Sequence, residues 1–330
     1  MPLPLASLGD SFRKFFDGVD AFFSNLAAVH WGALIFALLC FLAYLTLRAR
    51  ASFNILRAAY PNETFEFRYI WGAYIAGYGF NSVIPARGGD VIRLFLTKTS
   101  VPGSTYPAVA ATFAVELIFD ICMGSLMLAF SFTQGTFPKP PDFSKLPAFD
   151  LAFFASHPGF ALFFLTFLGV GILVAFGVLS HRIQAFWRRV RQGLTIVFDR
   201  RRYLRQVFGV QLGGWAFRFT AFWFMLEAFN IGGSVRNVLL VLGVNAVGAA
   251  VPFTPQGAGV TQALLVKVFK GTAAATTVAA YSVGQQIAIA AWTFAIGFAA
   301  LIFIFRVRSF KEVIARGRAD RQAAEVVHPA

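Results

Sequence analysis

The feature that most constrains this chain is a set of apolar blocks, each long enough for a helix to cross a hydrocarbon core of about 30 Å, which takes roughly 20 residues. The clear blocks are Trp31–Leu47, Ala108–Phe130, Gly159–Leu179, Val207–Phe229 and Ile287–Phe305. Two shorter stretches, Ile70–Ile84 and Val238–Val251, run straight into Pro/Gly-rich polar sequence, as interrupted or re-entrant helices do. With 58% hydrophobic residues, 13% charged ones and 41 Phe, the chain has too little polar surface to coat a water-soluble globule of its size. The expected fold is an all-α polytopic membrane protein with about five full spans plus two re-entrant broken helices.

The net charge of +14 is not spread like a nucleic-acid surface. It sits in short segments beside apolar blocks, where positive-inside sorting accounts for it. His181–Gln206 carries Arg182, Arg188, Arg189, Arg191, Arg200, Arg201, Arg202 and Arg205 against Asp199 alone, and is expected in the cytoplasm. The stretch after the first block (Arg48, Arg50, Arg57, Arg68) and the tail at 307–330 are expected on the same side. The loop Ser131–Pro158, with Lys139 and Lys145 against Asp142 and Asp150, is expected outside. No signal peptide is expected at Met1–Asp10, and an amphipathic interfacial helix is expected within 1–29, where Phe12, Phe15, Phe16, Val19, Phe22, Phe23 and Leu26 recur at helical spacing. Cys40 and Cys122 lie inside apolar blocks as ordinary thiols.

A shift of 169 residues pairs Gly88 with Gly257, Val91 with Val260, Leu96 with Leu265, Lys98 with Lys267, and Val109-Ala110-Ala111 with Val278-Ala279-Ala280. These identities are few and the residue types common, so they do not prove a repeat. Charge adds to them, because it places the halves, 31–133 and 207–306, in opposite orientations. Each half then reads as a span, a segment broken at Pro/Gly, and a long helix, with the 159–179 span and the basic loop 181–206 between them. Within a single transmembrane domain over 30–306, this is an inverted repeat, a plan that secondary transporters use to expose one site to either membrane face.

The first break reads Pro85-Ala86-Arg87-Gly88-Gly89-Asp90-Val91-Ile92-Arg93. Pro85 ends a helix, the glycines let the backbone turn, and Asp90 is placed to cap the next helix. If the segment re-enters, Arg87 and Arg93 form a fork beside a helix N-terminus suited to a phosphate; if it does not, they are solvated loop arginines. The second break, around Gln256, Gly257, Gly259 and Gln262, has no charge and offers amides and backbone N–H groups. Glu116 and Asp120 share one face of an apolar helix, about 6 Å apart. Burial and repulsion favour a proton on one of them unless Arg87, Arg93 or the mid-span Arg218 pairs with them, with Arg218 the partner guessed. The pair reads either as a structural ion pair or as a proton or headgroup site. The 169-residue shift puts Gln285 opposite Glu116.

Asn81-Ser82-Val83-Ile84-Pro85-Ala86-Arg87-Gly88-Gly89-Asp90-Val91-Ile92-Arg93 resembles the N-x-x-x-P-x-R-x-G-[ED]-x-x-R motif of the lysylphosphatidylglycerol synthase transmembrane family, the flippase-like membrane domain. Thr254-Pro255-Gln256-Gly257-Ala258-Gly259-Val260 is similar to its second, T-P-G-G-x-G-V type turn. Its third motif, E-R-x-x-D, corresponds to Glu116-Leu117-Ile118-Phe119-Asp120, with Leu in place of Arg; Gln256 replaces a usual Gly, and Gln262 stands where Glu is frequent. The resemblance implies translocation of a charged phospholipid or lipid-linked intermediate across a prokaryotic inner membrane. The soluble aminoacyl-transferase domain that the synthases carry after this region does not follow within this sequence, so lipid lysylation is not expected.

The sequence therefore points to a lipid transporter or flippase. The alternatives are a membrane enzyme on lipid-linked substrates and an accessory subunit of a lipid-modifying enzyme, docked through the Arg-rich loop. No P-loop or metal-type cluster supports an enzyme, and His30, His157, His181 and His328 are scattered. The candidate substrate-binding residues are Arg87, Gly88, Gly89, Asp90, Arg93, Glu116, Asp120, Arg218, Gln256, Gly257, Gly259, Gln262 and Gln285, and no catalytic residue, cofactor or metal is expected. The expected partner is a membrane phospholipid or lipid-linked molecule.

Overall fold

The computed structural model describes residues 28–84, 88–135, 186–249 and 260–306. The amphipathic segment, Arg87, the turn holding Gln256, Gly257 and Gly259, the block 159–179 and the tail lie outside the described residues.

From Ala33 to Tyr60 the sequence has neither Gly nor Pro, and helix α1 occupies Trp31–Ala59 as one element. It ends where Pro61 pushes Tyr60 to an extended φ of −129°. The apolar block Trp31–Leu47 is only its first part, so Arg48, Arg50 and Arg57 lie on a helix rather than in the loop expected of them. Helix α2 (Phe67–Asn81) stops ahead of Pro85, and α3 (Gly88–Ser100) follows. Helix α4 (Tyr106–Thr133) starts with Pro107 in its first turn, where a missing N–H costs nothing. The second half holds α5 (Gly209–Ala228), α6 (Val235–Ala249), α7 (Val260–Val268) and α8 (Ala275–Phe303). Among the described residues α1, α4 and α8 are long and apolar enough to cross a membrane, and no strand occurs beyond one isolated Lys270–Ala273 bridge. Large apolar side chains stay exposed along these three helices, among them Trp31, Leu39, Ile121, Leu126, Ile287 and Phe303, a surface that suits lipid and not water.

Helices α2 and α3 cross at glycines. A Cβ on Gly89 would strike the Gly77 carbonyl oxygen, and one on Gly77 would lie 2.6 Å from Arg93 Cβ, so neither position takes a side chain. At the mouth of this pair Asn81 Nδ2 donates to Asp90 Oδ1 at 2.7 Å. Asp90 thus sits in the first turn of α3, favourably placed on the helix dipole, and accepts from Asn81.

The 169-residue shift has a structural counterpart. It carries α1 to 200–228, which is helical throughout as Arg200–Tyr203, a π-helical turn at Leu204–Phe208 and α5. It carries α2 to 236–250, against α6 at Val235–Ala249, and α4 to 275–302, against α8 at Ala275–Phe303.

The packing obeys the same exchange. Helices α1 and α5 run antiparallel: His30 N donates to Ala228 O at 2.9 Å at one end, and Asn54 Nδ2 to Gln206 O at 2.8 Å at the other. Helix α2 lies antiparallel on α8, with Gly72 beside Ile304 and Gly297 beside Ala76. Its counterpart α6 lies antiparallel on α4, with Gly124 beside Ala246 and Arg236 Nε donating to Gln134 Oε1 at 3.0 Å. Helices equivalent by the shift that also pack antiparallel are related by a pseudo-two-fold axis across the helix direction. One hydrophobic core, including Phe41, Leu45, Phe119, Phe222, Met225, Val244 and Tyr281, joins both halves.

Candidate functional site

The costliest residues for an apolar helix are buried arginines and carboxylates, and α1 to α4 gather theirs in one place. On α1, Tyr44, Arg48 and Ser52 recur at four-residue spacing and so share a face. Both Nη atoms of Arg48 grip the two Asp120 carboxylate oxygens, the Nη2–Oδ2 bond being 2.6 Å, and Arg48 Nε donates to the Tyr74 hydroxyl at 2.6 Å. Arg48 Nη2 also stands 3.7 Å from Glu116 Oε2. Arg93 Nη2 donates to Glu116 Oε1 at 2.5 Å and to Ser52 Oγ at 3.0 Å. The flat guanidinium of Arg93 is sandwiched, with its carbon 4.1 Å from the Tyr74 ring centre and 3.9 Å from that of Phe113.

Burial is graded across this network. Side-chain exposure is 6% for Arg48, 4% for Glu116 and 12% for Arg93, but 36% for Asp120, so the network opens at the Asp120 end. Two guanidiniums and two carboxylates neutralise one another, which is how such charges are tolerated away from water.

The structure thus brings together Arg93, Glu116 and Asp120 of the candidate set, and the arginine pairing anticipated for the carboxylates is present in Arg93. The guess that Arg218 pairs with them is overturned: Arg48 fills that place. Arg218 instead rests against aromatic rings, with its carbon 4.8 Å from Trp215, 5.5 Å from Tyr44 and 5.9 Å from Phe222. Tyr44 also lies 5.8 Å from the Arg48 carbon, so one ring is close to both arginines. Among the described residues Arg218 makes no ion pair, and its Nε is buried with no hydrogen-bond partner.

Arg48, Ser52, Tyr74 and Phe113 were not singled out from the sequence. The signal was there in the four-residue spacing of Tyr44, Arg48 and Ser52 and in the unbroken helix-forming run that carries them.

Gly88 and Gly89 open α3 and, with Asp90, hold its first turn against α2. In the second half the shift takes Arg93 to Gln262 and Glu116 to Gln285. Gln262 Nε2 donates to Gln286 Oε1, while Gln285 is 4% exposed and its Oε1 has no partner. The position that is ionic in one half is amidic in the other. No group of three or more His, Cys, Asp or Glu suited to a metal ion occurs among the described residues.

Comparisons against curated proteins and against solved structures give no match. Residues 12–297 match the family described as the lysylphosphatidylglycerol synthase TM region, an interval that takes in α1 to α7, most of α8 and every candidate residue. With most of its length matched, and with its buried charges on the helices that carry that family's motifs, this chain belongs to the lysylphosphatidylglycerol synthase transmembrane family.

Proposed function

We propose that this membrane protein is an inner-membrane lipid transporter that moves an anionic or lipid-linked headgroup across the bilayer along the polar network centred on Arg48, Arg93, Glu116 and Asp120. The observation that carries the reading is the ionic cluster itself. Four charged side chains drawn from three helices meet in one place, inside an assembly whose long helices expose large apolar side chains. Each would cost on the order of 2.5–3.5 kcal/mol alone at a helix centre in hydrocarbon, so membrane proteins keep such groups where they line a path for polar cargo.

The antiparallel halves support the same reading. Two shift-related halves with broken helices form an inverted repeat when set in a bilayer, and rocking one against the other would open a central site to each face in turn. In this reading α2–α3 and α6–α7 are the re-entrant hairpins. The headgroup phosphate takes the place of a carboxylate on Arg93, and Arg87 serves as a second cationic ligand. Glu116 and Asp120 balance that charge or accept a proton or a cationic headgroup. Gln262 and Gln285 serve the uncharged part of the cargo in the second half.

Purified protein in liposomes, assayed for movement of labelled anionic phospholipid between leaflets, tests the proposal. Wild-type protein is expected to accelerate movement well above protein-free vesicles. Arg87→Gln is expected to slow it, with Arg87→Lys recovering only part because the planar fork is lost. Normal movement by well-folded Arg87→Gln and Asp120→Asn would place the path elsewhere.

A further inference from the structure

Helix α5 carries polar groups that the ionic cluster does not use. Gln211, Trp215, Arg218 and Phe222 recur at spacings of four, three and four residues, which puts them on one stripe of the helix. That stripe is turned to α1. Gly214 lies beside Tyr44 and Leu47, Phe222 packs edge-on to Phe41 with ring centres 6.3 Å apart, and Arg218 sits over the Tyr44 ring. Because α1 and α5 are antiparallel with Leu47 against Gly214, Gln211 is close to the level of Arg48.

Every polar side chain on this stripe is short of partners. Gln211 is fully buried, and neither its amide nitrogen nor its carbonyl oxygen is hydrogen-bonded. Trp215 is 7% exposed with its indole N–H unpaired, and Arg218 Nε is likewise unpaired. Buried polar groups are nearly always satisfied, and each one left open destabilises the fold. Three open donors in succession on one face, beside the ionic cluster, are groups that a polar ligand can satisfy.

Charge names the ligand's chemistry. Arg48 and Arg93 are matched by Glu116 and Asp120, which leaves Arg218 as one positive charge in excess among these five groups. A phosphodiester carries one negative charge and oxygen acceptors on every side, and the open groups on the stripe are chiefly N–H donors.

We propose that the α5 stripe of Gln211, Trp215 and Arg218 is a binding subsite for a singly charged phosphate ester, with Arg218 supplying the charge, Trp215 and Gln211 the neutral donors, and the Gln211 carbonyl accepting from a neighbouring hydroxyl. This rests on the transport reading only in giving the phosphate a route to the site. It adds a second place for the phosphate on that route, on the arginine that has no carboxylate, next to the one at Arg93.

The test measures binding, so a failure of transport does not bear on it. Full-length protein in detergent micelles is titrated by native mass spectrometry with phosphatidylglycerol, with diacylglycerol of the same chains, and with inorganic phosphate alone. Loss of hydrogen bonds to a charged group is expected to weaken phosphatidylglycerol binding by about tenfold or more in Arg218→Gln, and by several-fold in Trp215→Phe, which keeps the ring and removes the N–H. Arg218→Lys is expected to keep part of the affinity, and diacylglycerol binding is expected not to change. Saturable inorganic phosphate binding that Arg218→Gln abolishes would support the subsite with a free anion as its ligand. Equal phosphatidylglycerol binding by wild type, Arg218→Gln and Trp215→Phe, or equal losses for diacylglycerol, would overturn it. Trp215→Phe keeps an aromatic side chain in place and leaves every charge intact, so the result stands even if Arg218→Gln folds poorly.

Discussion

Arg48 holds the network together, because it contacts Asp120 with both terminal nitrogens, Tyr74 with its Nε and Glu116 at longer range. Its removal strands Asp120 and takes the more distant of two cations from Glu116, which keeps Arg93. Breaking a buried ion pair from one side typically costs about 3–5 kcal/mol. Arg48→Met is therefore expected to lower the thermal unfolding midpoint of the detergent-solubilised protein far more than Arg50→Met, which loses only contacts with the Phe53 and Phe67 rings. Adding Asp120→Leu to Arg48→Met is expected to restore part of the loss; equal midpoints for the two single variants would show that the network does not hold α1 to α4. Part of this site was legible in the sequence. Glu116, Asp120 and Arg93 stood out because charge is conspicuous inside apolar sequence. Arg48 did not, since it comes after a clean apolar block and reads as the first residue of a basic loop. The physical reason is that a helix is not obliged to end where its hydropathy does: with no Gly or Pro before Pro61, α1 continues for three further turns.

At the level of elements, the sequence located helices well and their partners poorly. The breaks after α2 and α6 were readable from Pro and Gly, and α4 and α8 from length and hydropathy. That α2 packs on α8, and α6 on α4, was not readable, because small residues that admit close approach, such as Gly79 against the Thr293 carbonyl and Gly243 against Ser131, look in sequence like any other glycine of a membrane helix. The crossed packing makes a prediction that a sequential arrangement of the two halves does not. Cysteines at Gly124 and Ala246 should cross-link, since a Cβ at 124 would lie 3.6 Å from that of Ala246. On the exchanged α2–α8 contact, cysteines at Gly72 and Ile304 should cross-link as well, since a Cβ at 72 would lie 3.6 Å from Ile304 Cγ2. Gel mobility under oxidising conditions reports both; cross-linking of only one pair would break the two-fold relation.

For the molecule as a whole, the antiparallel relation of the halves rests on the α1–α5 contacts and the exchanged packing of α2 with α8 and α6 with α4. The sequence had suggested it from charge alone. The weak identities of the 169-residue shift were poor guides because apolar residues substitute freely in lipid-facing helices, whereas helix boundaries and packing partners are held by geometry. The halves differ where function would require it. Arg93 and Glu116 are ionic in the first, and Gln262 and Gln285 are their neutral counterparts in the second. The central claim, that the ionic half lines the path of an anionic headgroup, is tested most directly by making the first half like the second. In liposomes assayed for movement of labelled phosphatidylglycerol, the double variant Arg93→Gln, Glu116→Gln removes one charge of each sign and leaves the net charge unchanged. Loss of a charge-assisted contact to the moving headgroup predicts a rate about tenfold or more below wild type, in protein that unfolds at a similar temperature. Wild-type rates in that variant, or wild-type rates no faster than protein-free vesicles, would contradict the account.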